Sequence, residues 1–134
     1  MSTYSDFFKV LSEERRLKIF LILLNEQRDF YVCEIADALS ETHCNTSRCL
    51  KELKAAGLIK RKRLGRGILY SVVEPTGSFL KSFFSAMLSV PRGFVDENIE
   101  VIRKRREMRV GEKCEKCIMK LSEDQYKSLK KNQI

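Results

Sequence analysis

Tryptophan is absent from the 134 residues, histidine occurs once, at His43, and proline and glycine number only two and six. The scarcity of proline and glycine excludes collagen-like and low-complexity chains, and 43% hydrophobic with 33% charged residues is the balance of a compact globular domain. A lone histidine, no phosphate-cradling glycine motif and no paired carboxylates in an evident cleft leave catalysis without its usual players. An enzyme is not expected. No apolar stretch approaches the roughly 20 residues of a membrane span, and the start, Met1-Ser2-Thr3-Tyr4-Ser5-Asp6, lacks the basic and apolar segments of a secretory signal. The expectation is a cytoplasmic protein with no membrane partner, whose single core needs neither disulfide nor metal to fold.

Charge is abundant and unevenly placed. Lys and Arg number 26 against 18 acidic residues, a net charge of +8. Residues 1–47 carry net −3, residues 48–72 carry +7 and residues 73–134 carry +4. A polyanionic partner is implied, and the 25-residue basic block is where it should bind.

The apolar spacing gives the elements in order. Phe7, Phe8 and Leu11 mark a short first helix. Ser12 reads as the N-cap of a second, with Glu13 and Glu14 on its positive end and Leu17, Phe20, Leu21 and Leu24 at helical spacing. Asn25 to Asp29 is a polar link. Val32, Ile35, Ala36 and Leu39 make a third helix, Ser40-Glu41-Thr42 a turn, and Thr42 the cap of a fourth whose inner face is Thr46, Cys49, Leu50 and Leu53. Gly57 falls where a helix ends in positive φ. Leu58–Arg63 and Ile68–Val73, around Gly65-Arg66-Gly67, predict a β-hairpin with a basic tip. Phe79, Leu80, Phe83, Phe84, Met87 and Leu88 predict a closing helix whose apolar stripe exceeds what one small core uses, which suggests a dimer. Residues 93–134 read as a separate charged tail: a helical pattern over Asp96–Arg109, then Cys114-Glu-Lys-Cys117 and a terminal helix opened by Ser122. Residues 1–92 form the expected DNA-binding and dimerisation domain.

The result is a mainly α chain with a small β-hairpin, a dimeric winged helix-turn-helix. Its residues resemble the ArsR/SmtB family of metal-sensing repressors. Val10-Leu11-Ser12-Glu13-Glu14-Arg15-Arg16-Leu17-Lys18-Ile19 is similar to the family's opening helix. Ser47-Arg48-Cys49-Leu50-Lys51-Glu52-Leu53 with Ala56-Gly57-Leu58-Ile59 is similar to its recognition helix and first wing strand, and Gly65-Arg66 with Tyr70-Ser71 to its wing. The resemblance spans about residues 7–90. It implies a homodimer that binds double-stranded operator DNA and is released by a thiophilic metal or metalloid. Two features depart from the pattern. The Cys-Val-Cys motif of arsenic-responsive members reads Tyr31-Val32-Cys33 here, and the histidine-based zinc site on the closing helix has no histidine.

A recognition helix exposes short polar and basic side chains where its first turns enter the major groove. The residues expected to meet DNA are Thr42, His43, Asn45, Thr46, Ser47, Arg48 and Lys51 on the fourth helix, with Arg61, Arg63 and Arg66 on the hairpin over the adjacent phosphates.

Five cysteines remain. Cys44 and Cys49 sit about 140° apart on one helix and do not share a metal; Cys49 fills the core. Cys114 and Cys117 form a bidentate knuckle suited to thiophilic ions. Cys33 matches a family ligand position, so the resemblance implies a Cys33, Cys114, Cys117 effector site for As(III), with Sb(III), Cd(II) or Pb(II) as other occupants and Zn(II) if a fourth ligand joins. Two alternatives stay open: a thiol–disulfide switch, and a structural zinc knuckle in which Cys114 and Cys117 are completed by the same two residues of a second protomer. A dithiol oxidoreductase lacks its βαβ context, and a protein-binding adaptor would leave the basic block idle.

Overall fold

The computed structural model describes residues 4–109; the Cys114/Cys117 knuckle and the terminal helix expected from Ser122 lie outside the described residues. Six helices and three strands follow in the order α1 (Tyr4–Leu11), α2 (Glu14–Glu26), β1 (Phe30–Tyr31), α3 (Val32–Leu39), α4 (His43–Ala55), β2 (Ile59–Leu64), β3 (Gly67–Val72), α5 (Gly77–Leu88) and α6 (Asp96–Glu107). A 3₁₀ turn at Arg92–Phe94 joins the last two. This is a winged helix-turn-helix.

The centre is α2, whose six consecutive residues Ile19, Phe20, Leu21, Ile22, Leu23 and Leu24 are each no more than 1% exposed. A helix that apolar all round has to be enclosed on every side, and α1, α4, α5, α6 and β3 enclose it. Its cap is Glu13 rather than the expected Ser12. The Glu13 carboxylate accepts the Arg16 N–H at 3.1 Å and binds Arg15 Nε at 2.9 Å, whereas the Ser12 hydroxyl donates back to the Lys9 carbonyl at 2.7 Å. A carboxylate that also recruits a cation outcompetes a hydroxyl for the helix's positive end.

The sheet has the order β1-β3-β2, all antiparallel. The hairpin is as expected, with Arg61 opposite Tyr70 and Arg63 opposite Ile68. Gly65 turns it at φ 61, the positive φ that the first central residue of a two-residue hairpin loop requires. Strand β1 falls between the Asn25 to Asp29 link and the third helix, on two residues assigned to neither: Phe30 and Tyr31 pair with Tyr70 and Leu69.

One hydrophobic core runs from Phe7 to Ile102, across the boundary expected between residues 92 and 93. Val95, Ile99 and Ile102 are buried in the same cluster as Leu24, Ile35 and Phe84. Helix α6 therefore packs on α3, and four arginines in it and just after it reach acids of α2, of the following link and of α3. Arg103 binds Glu26, Arg105 binds Asp37 at 2.6 Å, Arg106 lies 3.8 Å from Asp29, and Arg109 binds Glu34. Asn98 adds a hydrogen bond to the Ala38 carbonyl at 2.8 Å.

Candidate nucleic-acid interface and cysteine site

The N-terminal turn of α4 is built by its own side chains. The Thr42 hydroxyl accepts the Asn45 N–H at 3.0 Å, and the Glu41 carboxylate accepts the Thr42 N–H at 3.2 Å and the Asn45 carboxamide at 2.8 Å. Glu41 is in turn 3.5 Å from Arg15 of α2, which also binds Glu13. The Asn45 hydrogen bond first, and the Thr42 N–H second, hold the Glu41 carboxyl below its ordinary range. Asn45 is thus aimed by a residue that the sequence did not single out. Its signal was the acid immediately preceding a helix cap.

Of the ten residues expected to meet DNA, Thr42, His43, Arg48, Lys51, Arg61, Arg63 and Arg66 are exposed, and Asn45 and Ser47 are half-buried. Thr46 is different: it is 0% exposed and its hydroxyl donates to the Thr42 carbonyl at 2.8 Å. Its spacing with Cys49, Leu50 and Leu53 turns it inward, so its side chain has nothing to offer a duplex. Lys60 and Lys62 are exposed beside Arg61 and Arg63, so β2 presents four successive cations to solvent.

The wing rests on the start of α3. Tyr31, Cys33 and Leu69 form a small apolar cluster, with Leu64 of β2 against it. Cys33 is 9% exposed and disulfide-bonded. Cys44 and Cys49 are free thiols, the first exposed and the second buried. Burial first, and the nearby Glu13 carboxylate second, push the Cys49 thiol up, so it is the inert core residue the spacing indicated. Among the described residues, no group of three or more His, Cys, Asp or Glu is placed to hold a metal ion; the structure places Cys33 but neither Cys114 nor Cys117.

Charge pattern did not reveal the Glu34 site. Its carboxylate is fully buried, accepts the Tyr31 N–H at 2.9 Å, and takes two hydrogen bonds from Arg109, from Nη2 at 2.6 Å and Nε at 2.8 Å. The first of these is half of a capping box. Arg109 also donates to the Asp29 carbonyl at 3.0 Å and lies 4.8 Å above the Tyr31 ring.

No helix among the described residues is long and apolar enough to cross a membrane. Tyr4, Phe8, Phe79 and Leu88 of α1 and α5 are 70%, 52%, 39% and 50% exposed. Tyr4, Phe7, Phe8, Phe79 and Phe83 stack edge to face across the two helices.

No family model matches the chain. A cadmium resistance transcriptional regulatory protein of Listeria innocua is 37% identical over 68 residues, 51% of this chain and 56% of that protein. An arsenic resistance transcriptional regulator of Pseudomonas putida is 30% identical over 93 residues, 69% of this chain and 66% of that protein. The match thus spans little more than half the length of the cadmium regulator. Among solved structures, reduced HlyU from Vibrio cholerae superposes with a TM-score of 0.52 at 21% identity, covering 63% of this chain and 83% of its own, and shares the fold. Motifs, winged fold and relatives named as transcriptional regulators agree: the chain is a winged helix-turn-helix protein of the ArsR/SmtB type.

Proposed function

We propose that the chain is a homodimeric, cytoplasmic repressor that binds a roughly palindromic operator and releases it when a thiophilic ion binds cysteine thiolates. As(III) is the first candidate, with Sb(III), Cd(II), Pb(II) and Zn(II) behind it. The observation that carries DNA binding is the pairing of an α4 whose first turns expose Thr42, His43 and Arg48 with a β2 whose cations all face solvent. The first would enter the major groove and the second would meet phosphates. The aromatic face of α1 and α5 supports the dimer, which would set two recognition helices about 34 Å apart. The candidate effector site is Cys33, Cys114 and Cys117. Relatives named for cadmium and for arsenic resistance support a thiolate site without choosing the ion.

A second reading, release by thiol oxidation, is favoured by the disulfide at Cys33. Reduction of that bond yields the thiols a metalloid needs, so both readings use the same sulfur. One experiment separates them. Gel shifts of the reduced protein on its own promoter are titrated with arsenite, cadmium and diamide. Release by an ion at constant dithiothreitol supports the metal sensor, and release by diamide alone, reversed by dithiothreitol, supports the oxidation sensor. Binding that ignores all three, or a response unchanged when Cys33, Cys114 and Cys117 are all Ser, overturns both.

A further inference from the structure

Tyr31 occupies an unusual junction. It precedes α3 by one residue, stands two residues from Cys33, and is 3% exposed. As part of β1 it pairs with Leu69 of the wing strand β3. Its ring lies directly against Gly67, the first residue after the wing turn. A Cβ added at Gly67 would fall inside the van der Waals contact distance of Tyr31 Cε1 and 3.0 Å from Cδ1. The ring also carries the Arg109 guanidinium, 4.8 Å from its centroid. Arg109 is held by Glu34 in the first turn of α3, and the same Glu34 carboxylate accepts the Tyr31 N–H. Backbone, ring and cation are all fixed, so the ring has no slack.

We propose that Tyr31 is the positioning residue through which the chemical state of Cys33 reaches the wing. The inference rests on the reading that Cys33 is the sensing thiol. Bond formation at Cys33, whether to a second sulfur or to an ion, constrains the first turn of α3. Tyr31 and Cys33 pack in one cluster with Leu69 and Leu64, so a shift of that turn moves the ring. The ring cannot advance without displacing the Gly67 backbone, because close-packed groups transmit displacement rather than absorb it. Gly67 is paired with Leu64 across the tip of the hairpin that carries Arg61, Arg63 and Arg66, so the displacement arrives where phosphates would be met. The Arg109 guanidinium, 4.8 Å from the ring centroid and itself tied to Glu34, adds a second contact that anchors the ring to α3.

The test uses the full-length protein in two states, oxidised with diamide and reduced with dithiothreitol. It follows the amide resonances of Gly65, Arg66 and Gly67 by NMR and operator affinity by fluorescence anisotropy. In the unmodified chain the three amides shift between the states, and operator affinity changes by about 5- to 150-fold, the usual range for coupled sites. In Tyr31→Leu the amide shifts collapse and the affinity ratio falls to one, while Tyr31→Phe, which keeps the ring, keeps both responses. Gly67→Ala, which forces the ring aside from the wing end, is the second variant and loses the response as well. Amides that do not move in the unmodified chain overturn the inference, and so does a response that survives in both Tyr31→Leu and Gly67→Ala. Amides that move through Tyr31 while operator affinity stays constant leave this link standing and overturn the regulatory reading of Cys33 instead.

Discussion

Arg109 and Glu34 are 75 residues apart in the chain, and their side chains meet in a two-pronged pair at 2.6 and 2.8 Å. Glu34 is 0% and Arg109 10% exposed, so each charge is stranded without the other. Burial alone would lower the Arg109 pKa; the Glu34 hydrogen bonds and charge outweigh it and raise it. Arg109→Ala should therefore destabilise the fold by about 3 kcal/mol, the cost of leaving a buried carboxylate uncompensated. Glu34→Gln combined with Arg109→Gln should recover most of that loss, because no net charge is then buried. Urea unfolding of the single and double variants measures both.

Thr46 separates folding from DNA contact. Thr46→Val keeps the shape and removes the hydroxyl that reaches the Thr42 carbonyl. Stability should fall by about 1 kcal/mol with operator affinity unchanged. Loss of operator binding in a folded Thr46→Val protein would mean that α4 is set against the duplex differently from the arrangement proposed above.

The wing arginines should report as phosphate contacts. Arg61→Ala, Arg63→Ala and Arg66→Ala should each make the slope of log affinity against log salt shallower by about 1, with little change in sequence preference. Arg48→Ala, on the helix, should relax preference at one base pair or shift the salt slope, depending on whether it meets a base or a phosphate. Anisotropy titrations across salt on operator and scrambled duplexes resolve the two.

Acid should weaken the start of α4. The Glu41 carboxyl is held below its ordinary value of 4.5 by Asn45 and Thr42. A group whose folded pKa is depressed adds stability above its unfolded pKa, and that contribution disappears as pH falls through the folded value. Unfolding midpoints should therefore drop below about pH 4.5, and less steeply in Glu41→Gln, whose amide does not titrate. Equal slopes in the two proteins would show that Glu41 is not ordering the cap.

The winged core was legible because its signals are local. Six apolar residues in succession specify a central helix, Thr42 marks a cap within three residues of its bonds, and Gly65 marks a two-residue turn. What escaped notice depends on distant partners. Strand β1 is two residues long, and only its pairing with Tyr70 and Leu69 reveals it. The arginines in and just after α6 read only as part of a charged tail, because Glu26, Asp29, Glu34 and Asp37, which they meet, lie some seventy positions upstream. Ser12 and Glu13 competed for one cap, and the acid gained from an arginine two residues on. Within the candidate site, residue type located the DNA-facing turn. Helical phase alone turns Thr46 fully inward, although its neighbours Asn45 and Ser47 stay partly exposed.

The ties from Arg103, Arg105 and Arg109 back to α2 and α3 bear on how the chain is made. Synthesis delivers the N-terminal residues first, and segments begin to fold as they emerge. Glu26, Glu34 and Asp37 are 7%, 0% and 19% exposed in the finished protein, yet their cations arrive only with Arg103, Arg105 and Arg109. A nascent chain that has released the wing but not α6 holds a helix-turn-helix with three carboxylates it has no means to bury. Residues 103–109 must therefore leave the ribosome before these carboxylates can be buried as ion pairs.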